Sequence, residues 1–256
     1  MKRAKLRKPE SYVDRVYRNL PDRSGLVSSR ARIKDTDLHI LADREVSEPA
    51  RELALRYRLQ IEKYIQQYPR FARSLSPLSP DPLAPPIVRE MLAAAGSAGV
   101  GPMAAVAGVI AEFVGRGLLR HGCLEVIVEN GGDIYLSRSR DCTVAIFAGQ
   151  SPLSLRVGLR LSRLSMPMAV CTSSGTIGHS LSFGLADSVT VIARSTALAD
   201  AAATRLGNEI GRSSGGKNGM NRALEKSRQI PGVLGVVAIR GDTIGAVGDV
   251  ELVSIH

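Results

Sequence analysis

The chain has 256 residues, 44% of them hydrophobic, enough to bury a sizeable core as one large domain or two small ones. Thirty-four Lys and Arg against 24 Asp and Glu give a net charge of +10, which favours anionic partners. The excess is partly local, because Lys2, Arg3, Lys5, Arg7 and Lys8 open the chain without an acid, and a solvated basic tail over residues 1–16 is the simpler reading. With no Trp, 4% aromatics and no stacking aromatics in a basic stripe, nucleic acid is not an expected partner.

Cys123, Cys142 and Cys171 are odd in number and lack C-x-x-C spacing, as expected of reduced thiols in a cytosolic protein. The basic start runs into SYVDRVYRNL rather than an apolar stretch, so no secretory signal is expected. The longest apolar region, Met103 to Leu119, is interrupted by Glu112 and Arg116 and reads as too short and too charged to span a bilayer. These features predict a cytoplasmic protein without a membrane segment.

In chain order, GLVSSRARI and DLHILA predict paired strands around an acidic turn at Asp35-Thr36-Asp37. Ser47 to Tyr68 predicts an amphipathic helix, with Ser47 as its cap, Pro49 in its first turn, and Leu53, Tyr57, Ile61, Tyr64 and Tyr68 as a core stripe. Ser74 to Pro86 carries five prolines and predicts a long surface connection within one domain. A helix from Pro86 to about Ala95 follows, and Gly101-Pro102 then starts a nearly all-apolar, hence buried, helix ending at His121-Gly122.

Leu124 to Val128 reads as a strand, and Glu129-Asn130-Gly131-Gly132-Asp133 as a tight turn. The two glycines permit positive φ and can expose amide N–H groups to a ligand, although Asn-Gly is equally a hairpin signal. Strands over Cys142–Ala148 and Leu155–Leu161 lead to a loop rich in hydroxyls and glycine: Thr172, Ser173, Ser174, Gly175, Thr176, Gly178, His179 and Ser180. The G-x-S-x-G spacing of a nucleophile elbow is not met, and a phosphate cradle suits the composition better. His179 is the one histidine in this cluster, an acid/base or phosphate donor if it is not structural.

Ser188 to Ala193 is a buried strand, and a helix starting near Ser195 carries Asp200 and Thr204 one turn apart among alanines. An Asp and a hydroxyl on one face offer the hard oxygens that Mg²⁺ accepts, while close packing of a small-residue helix is the simpler account. Arg212 to Gly219 reads as a basic surface loop that misses the phosphate-loop pattern. A short helix to about Arg228, a strand over Val233–Arg240, a turn at Gly241-Asp242 and a final strand to Val253 close the chain.

SVTVIARSTALADAAAT is similar to the strand and A-D-A-x-A-T helix of the ApbE family of flavin transferases (FAD:protein FMN transferases). CTSSG resembles that family's A-T-S-G, and VENGGDIY its G-G-D/E-I turn. The order MAAVAGVIAEFV, ENGGDI, SSGTIGHS, ADSVTV resembles a bacterial and archaeal branch of this superfamily, over roughly Gly101 to Asn208. The resemblance implies an α+β, T-fold-like duplicated unit, with antiparallel sheets on buried helices in a single domain whose halves join near the Pro-rich segment or just after it. It also implies FAD and Mg²⁺ as cofactors and an acceptor protein as partner. Metal ligands would be Asp200, Thr204 and a backbone carbonyl at Ala105, and nucleotide contacts Glu129, Asn130, Gly131, Gly132, Asp133, Thr172, Ser173, Ser174 and Gly175. His179 lies roughly where those enzymes carry a histidine. Two elements depart from the pattern: Gly108 stands where the G-A-I-A-K-G segment has its lysine, and the Asp-Pro-x-Thr-Gly element is absent. The implied activity is therefore FMN transfer, or nucleotide binding in a relative that has lost it.

Overall fold

The computed structural model describes residues 25–174, 186–212 and 216–255. The expected basic tail and two expected site residues, Gly175 and His179, lie outside this set.

Strands β1 (Val27–Ile33) and β2 (Thr36–Ala42) form the predicted hairpin, but the connection is Lys34-Asp35, with Lys34 at φ +51°, and Thr36 already belongs to β2. Helix α1 (Ser47–Gln67) buries Leu53, Tyr57, Ile61 and Tyr64, as its 3.6-residue periodicity requires, while Tyr68 beyond its end is exposed. Ser47 is the first helical residue rather than the cap, and its N–H donates to Glu45 Oε1 at 2.8 Å. The Pro-rich connection runs from the short helix α2 (Arg70–Arg73) to α3 (Pro86–Ala98), fastened where Tyr64 Oη donates to Asp81 at 2.9 Å. Gly99, at φ +71°, ends α3 as a left-handed cap.

A 3-10 turn (Pro102–Ala105) leads into α4 (Val106–Arg120). By length and composition, Pro102–Arg120 is apolar enough to cross a membrane, but it is 61% buried within the protein. It packs against α1, against α5 (Thr196–Arg212) and against strands β3 (Val126–Asn130) and β4 (Asp133–Ser137). Strands β5 (Cys142–Ala145), β6 (Val157–Leu161), β7 (Met168–Ser173) and β8 (Ser188–Ala193) precede α5. After it come α6 (Gly216–Ser227), β9 (Val233–Arg240), β10 (Thr243–Gly248) and β11 (Leu252–Ser254). The segment expected to be a loop up to Gly219 is thus helical from Gly216 onward. Met220 and Ala223 are buried against the neighbouring core, and that packing outweighs a glycine-rich start.

Eight strands form one antiparallel sheet in the order β1-β2-β3-β4-β7-β8-β9-β10. The fold is α+β. One face carries the helices, over cores that run from Leu38, Ile40, Val128 and Tyr135 to Ala169, Val191 and Val236. The other face, with Leu136, Val170, Ile192, Val237 and Ile239, is covered by the small sheet β11-β6-β5 and its flanking Ile146 and Ala148. Alternate residues of β7, β8 and β9 therefore serve two different cores, which is why these strands read as continuous apolar runs.

The expected duplication is visible in the topology: hairpin, helices, hairpin over β1–β4, and the same over β7–β10. The join falls between β4 and β7, not near the Pro-rich segment, which sits inside the first unit. Prolines report irregular backbone, and here that irregularity is only the route from α2 to α3.

Candidate functional site at the seam of the two units

Helix α4 of the first unit and α5 of the second lie side by side over the central strands β4 and β7. Below them, cross-strand partners place Leu38, Asn130, Asp133, Cys171, Val191 and Val236 in one row on the helix face of the sheet. Polar groups thus occupy the middle of an otherwise apolar row. Asn130 and Asp133 bracket a two-residue loop, Gly131 at φ +73° and Gly132 at φ +108°, the positive-φ pair that a tight hairpin twisting with its strands demands.

Asp200 projects from α5 onto this row. Its Oδ2 accepts the N–H of Gly108 at 2.9 Å, and Asn130 Nδ2 donates to the carbonyl of Ala107 at 3.0 Å, so both contacts tie α4 to the seam. The helices approach so closely at Gly108 that a Cβ there would lie 2.8 Å from Asp200 Cβ and nearer still to the Thr196 carbonyl oxygen. The lysine of the resembling segment has no room at this position.

Electrostatically the seam is acidic. Burial pushes Asp200 up to about 7, opposed by the amides of Gly108 and Ala107. Burial also pushes Asp133 well above the ordinary carboxylate range, and the nearby charges of Asp200 and Glu129 add to this against hydrogen bonds from Cys171 and the Thr172 amide. The Cys171 thiol is raised too, first by burial and then by Asp133 and Asp200. Among the described residues, no cation neutralises either aspartate.

The expected site residues divide between the faces of the sheet. Asn130, Asp133 and Ser173 share the helix face with Asp200, and Ser173 Oγ is buried without a hydrogen-bond partner. Glu129 and Thr172 fall on the opposite face. Glu129 Oε1 accepts the Gly132 N–H at 2.9 Å and steadies the turn, while the Thr172 and Thr190 hydroxyls bond each other at 2.9 Å. Ser174 follows at the end of β7. Thr204 is half-buried on α5 one turn beyond Asp200, and Ala105 is fully buried in the 3-10 turn that packs on α5. Among the described residues, no three His, Cys, Asp or Glu side chains have the geometry to hold a metal, so a cation here would rest on Asp200 and uncharged oxygens.

Three participants were not foreseen as such. Cys171 faces Asp133, a placement its alternate position in β7 does signal. Glu112 reaches from α4 to accept the Thr196 N–H at 2.8 Å, and Gly108 supplies an amide. In sequence, Glu112 shows only as a charge interrupting an apolar helix.

The fold is shared with ApbE flavin transferases of known structure. A flavin transferase ApbE from Vibrio cholerae matches with a TM-score of 0.55 at 14% identity, over 87% of this chain and 96% of that one. A flavinyl transferase ApbE from Pseudomonas stutzeri matches with a TM-score of 0.51 at 15% identity, over 87% and 94%. At these identities the likeness is one of fold. The family model described as AbpE bacteria matches residues 18–228, and the chain belongs to that family. Its relatives include a UPF0280 protein of Methanococcus aeolicus, 38% identical over 229 residues (88% of this chain, 91% of the relative). Another is a UPF0280 protein of Methanocaldococcus jannaschii, 41% identical over 225 residues (86% and 91%).

Proposed function

We propose that the protein binds a flavin nucleotide, FAD, at the seam together with Mg²⁺, and moves FMN from it to an acceptor protein. The observation that carries this reading is the pair of buried carboxylates, Asp133 and Asp200, with no cation to neutralise them among the described residues. Such a pair is costly unless something positive joins it. The donors suit a hard cation: Asp200 brings a carboxylate held to α4 by backbone amides, with the Thr204 hydroxyl and the Ala105 carbonyl as uncharged oxygens. Bound there, Mg²⁺ would supply the positive charge that neutralises a nucleotide's pyrophosphate.

This chain's own residues define the rest of the site. The Gly131-Gly132 turn sets Asp133 at the start of β4, Asn130 fixes that turn to α4 through the Ala107 carbonyl, and Ser173 offers an unused hydroxyl on the same face. Free cysteines support a reducing compartment, the cytoplasm.

A second reading, binding without transfer, is favoured by one observation: the close approach at Gly108 leaves no place for a lysine ammonium. Calorimetric titration with FAD, with and without Mg²⁺, followed by mass analysis of products, separates the two. Turnover supports transfer, and magnesium-dependent binding without turnover supports the second reading. Asp200→Ala is expected to abolish metal-dependent binding while the helix persists, since Ala suits it. Unchanged affinity in that variant refutes the assignment.

A further inference from the structure

We propose that Glu112 is a positioning residue that fixes the carboxylate of Asp200, an inference that rests on reading Asp200 as the cation ligand. Two hydrogen bonds join the helices at their starts. Gly108 N–H donates to Asp200 Oδ2 at 2.9 Å, and Thr196 N–H donates to Glu112 Oε2 at 2.8 Å. Gly108 and Glu112 are four apart on α4, as Thr196 and Asp200 are on α5. Each helix therefore shows an amide and a carboxylate on one face, one turn apart, and the two faces meet antiparallel. The result is a reciprocal cap, in which each helix satisfies a first-turn amide of the other with a carboxylate.

The arrangement is tightly determined. Gly108 allows the close crossing, since any Cβ would meet Asp200 Cβ and the Thr196 carbonyl. Glu112 has both oxygens engaged, Oε1 with Arg116 Nη1 at 3.3 Å and Oε2 with α5, so it cannot follow a shifting partner. Thr196 is fully buried, and without Glu112 its amide has no water to turn to. Helix α5 then gains freedom to slide on α4, and Asp200 moves with it, one turn from the lost contact. Glu112 itself is committed to these partners and acts only through Asp200.

The test is titration of the full chain with Mn²⁺ as the probe, followed by electron paramagnetic resonance, for the wild type, Glu112→Ala, Glu112→Gln and Asp200→Ala, with thermal unfolding of each. Glu112→Ala is expected to weaken Mn²⁺ binding about tenfold or more, the usual effect of removing a residue that orients a ligand. Glu112→Gln keeps an oxygen for the Thr196 amide and is expected to bind within about threefold of the wild type. If Glu112→Ala does not fold, Glu112→Asp, one methylene too short to reach, replaces it. Wild-type affinity in Glu112→Ala or Glu112→Asp, with binding lost in Asp200→Ala, overturns the role of Glu112 alone. An equal loss in Glu112→Gln and Glu112→Ala also overturns it, because the acceptor would then not matter. Absence of binding in the wild type, or unchanged binding in Asp200→Ala, overturns the reading of Asp200 and this inference with it.

Discussion

Gly108→Ala probes the close crossing of α4 and α5. The added Cβ would sit 2.8 Å from Asp200 Cβ and closer to the Thr196 carbonyl oxygen, which is backbone and has no rotamer to retreat into. Against this, Ala is the better helix former by about 1 kcal/mol. Overpacking a well-filled interior costs roughly 1–3 kcal/mol, and pushing the helices apart also weakens the Gly108–Asp200 hydrogen bond, worth about 1.5–3 kcal/mol when the acceptor is charged. The net is a loss of about 2–4 kcal/mol. At about 2–4 °C per kcal/mol for a chain of this size, the midpoint falls by roughly 5–15 °C. Differential scanning calorimetry measures it, with Gly96→Ala as the control. Gly96 is an exposed position of α3 with nothing within 4 Å of a new Cβ, and there the substitution is expected to stabilise by about 0.5–1 kcal/mol. A Gly108→Ala protein as stable as the wild type would refute the claim that this crossing excludes every side chain, and with it the explanation for the missing lysine.

Asp200 gives a pH dependence of definite sign. Its carboxyl is raised from 3.8 to about 7 on folding, so the native state holds the proton more tightly, and the metal-free protein loses stability as pH rises between about 4 and 7, by up to about 4 kcal/mol. Asp200→Asn is expected to flatten that slope and to be more stable than the wild type at pH 8, as urea unfolding across pH would show; an unchanged slope would count against a raised carboxyl. Asn130→Ala, which releases the buried carbonyl of Ala107, is expected to cost about 1–2 kcal/mol in the same assay and to weaken metal-dependent nucleotide binding. Gly132→Ala forces a side chain to φ +108° and is expected to cost about 1–3 kcal/mol. Leu118→Ala, on the buried face of α4 and away from the seam, is expected to cost about 2–5 kcal/mol without changing cation affinity.

The elements of this fold were legible because each carries its own period. The α1 stripe, the apolar α4 and the strands from β7 onward follow directly from which residues are buried. What a local pattern cannot show is which of two cores an alternating strand residue faces. Glu129 and Asp133 flank one turn and read alike in sequence, yet the two-glycine hairpin pairs Asp133 with Asn130 and Glu129 with Ile134, which sends the two acids to opposite faces. The capping of α5 was hidden for a related reason. Glu112 lies 84 residues from Thr196, and no spacing rule connects them. The seam itself follows from duplication, which composition does not record.

The departure at Gly108 and the acidity of the seam are linked. A lysine near Asp133 and Asp200 would neutralise them, and the carboxylates would then have a permanent partner. With glycine there, the partner is a backbone amide, which holds one oxygen of Asp200 but carries no full charge. The pair keeps a deficit of positive charge that burial enlarges. Under the proposed reading, an external cation would fill that deficit. On that reading, losing the lysine removes an ammonium that transfer could use, while the oxygens proposed for the cation remain.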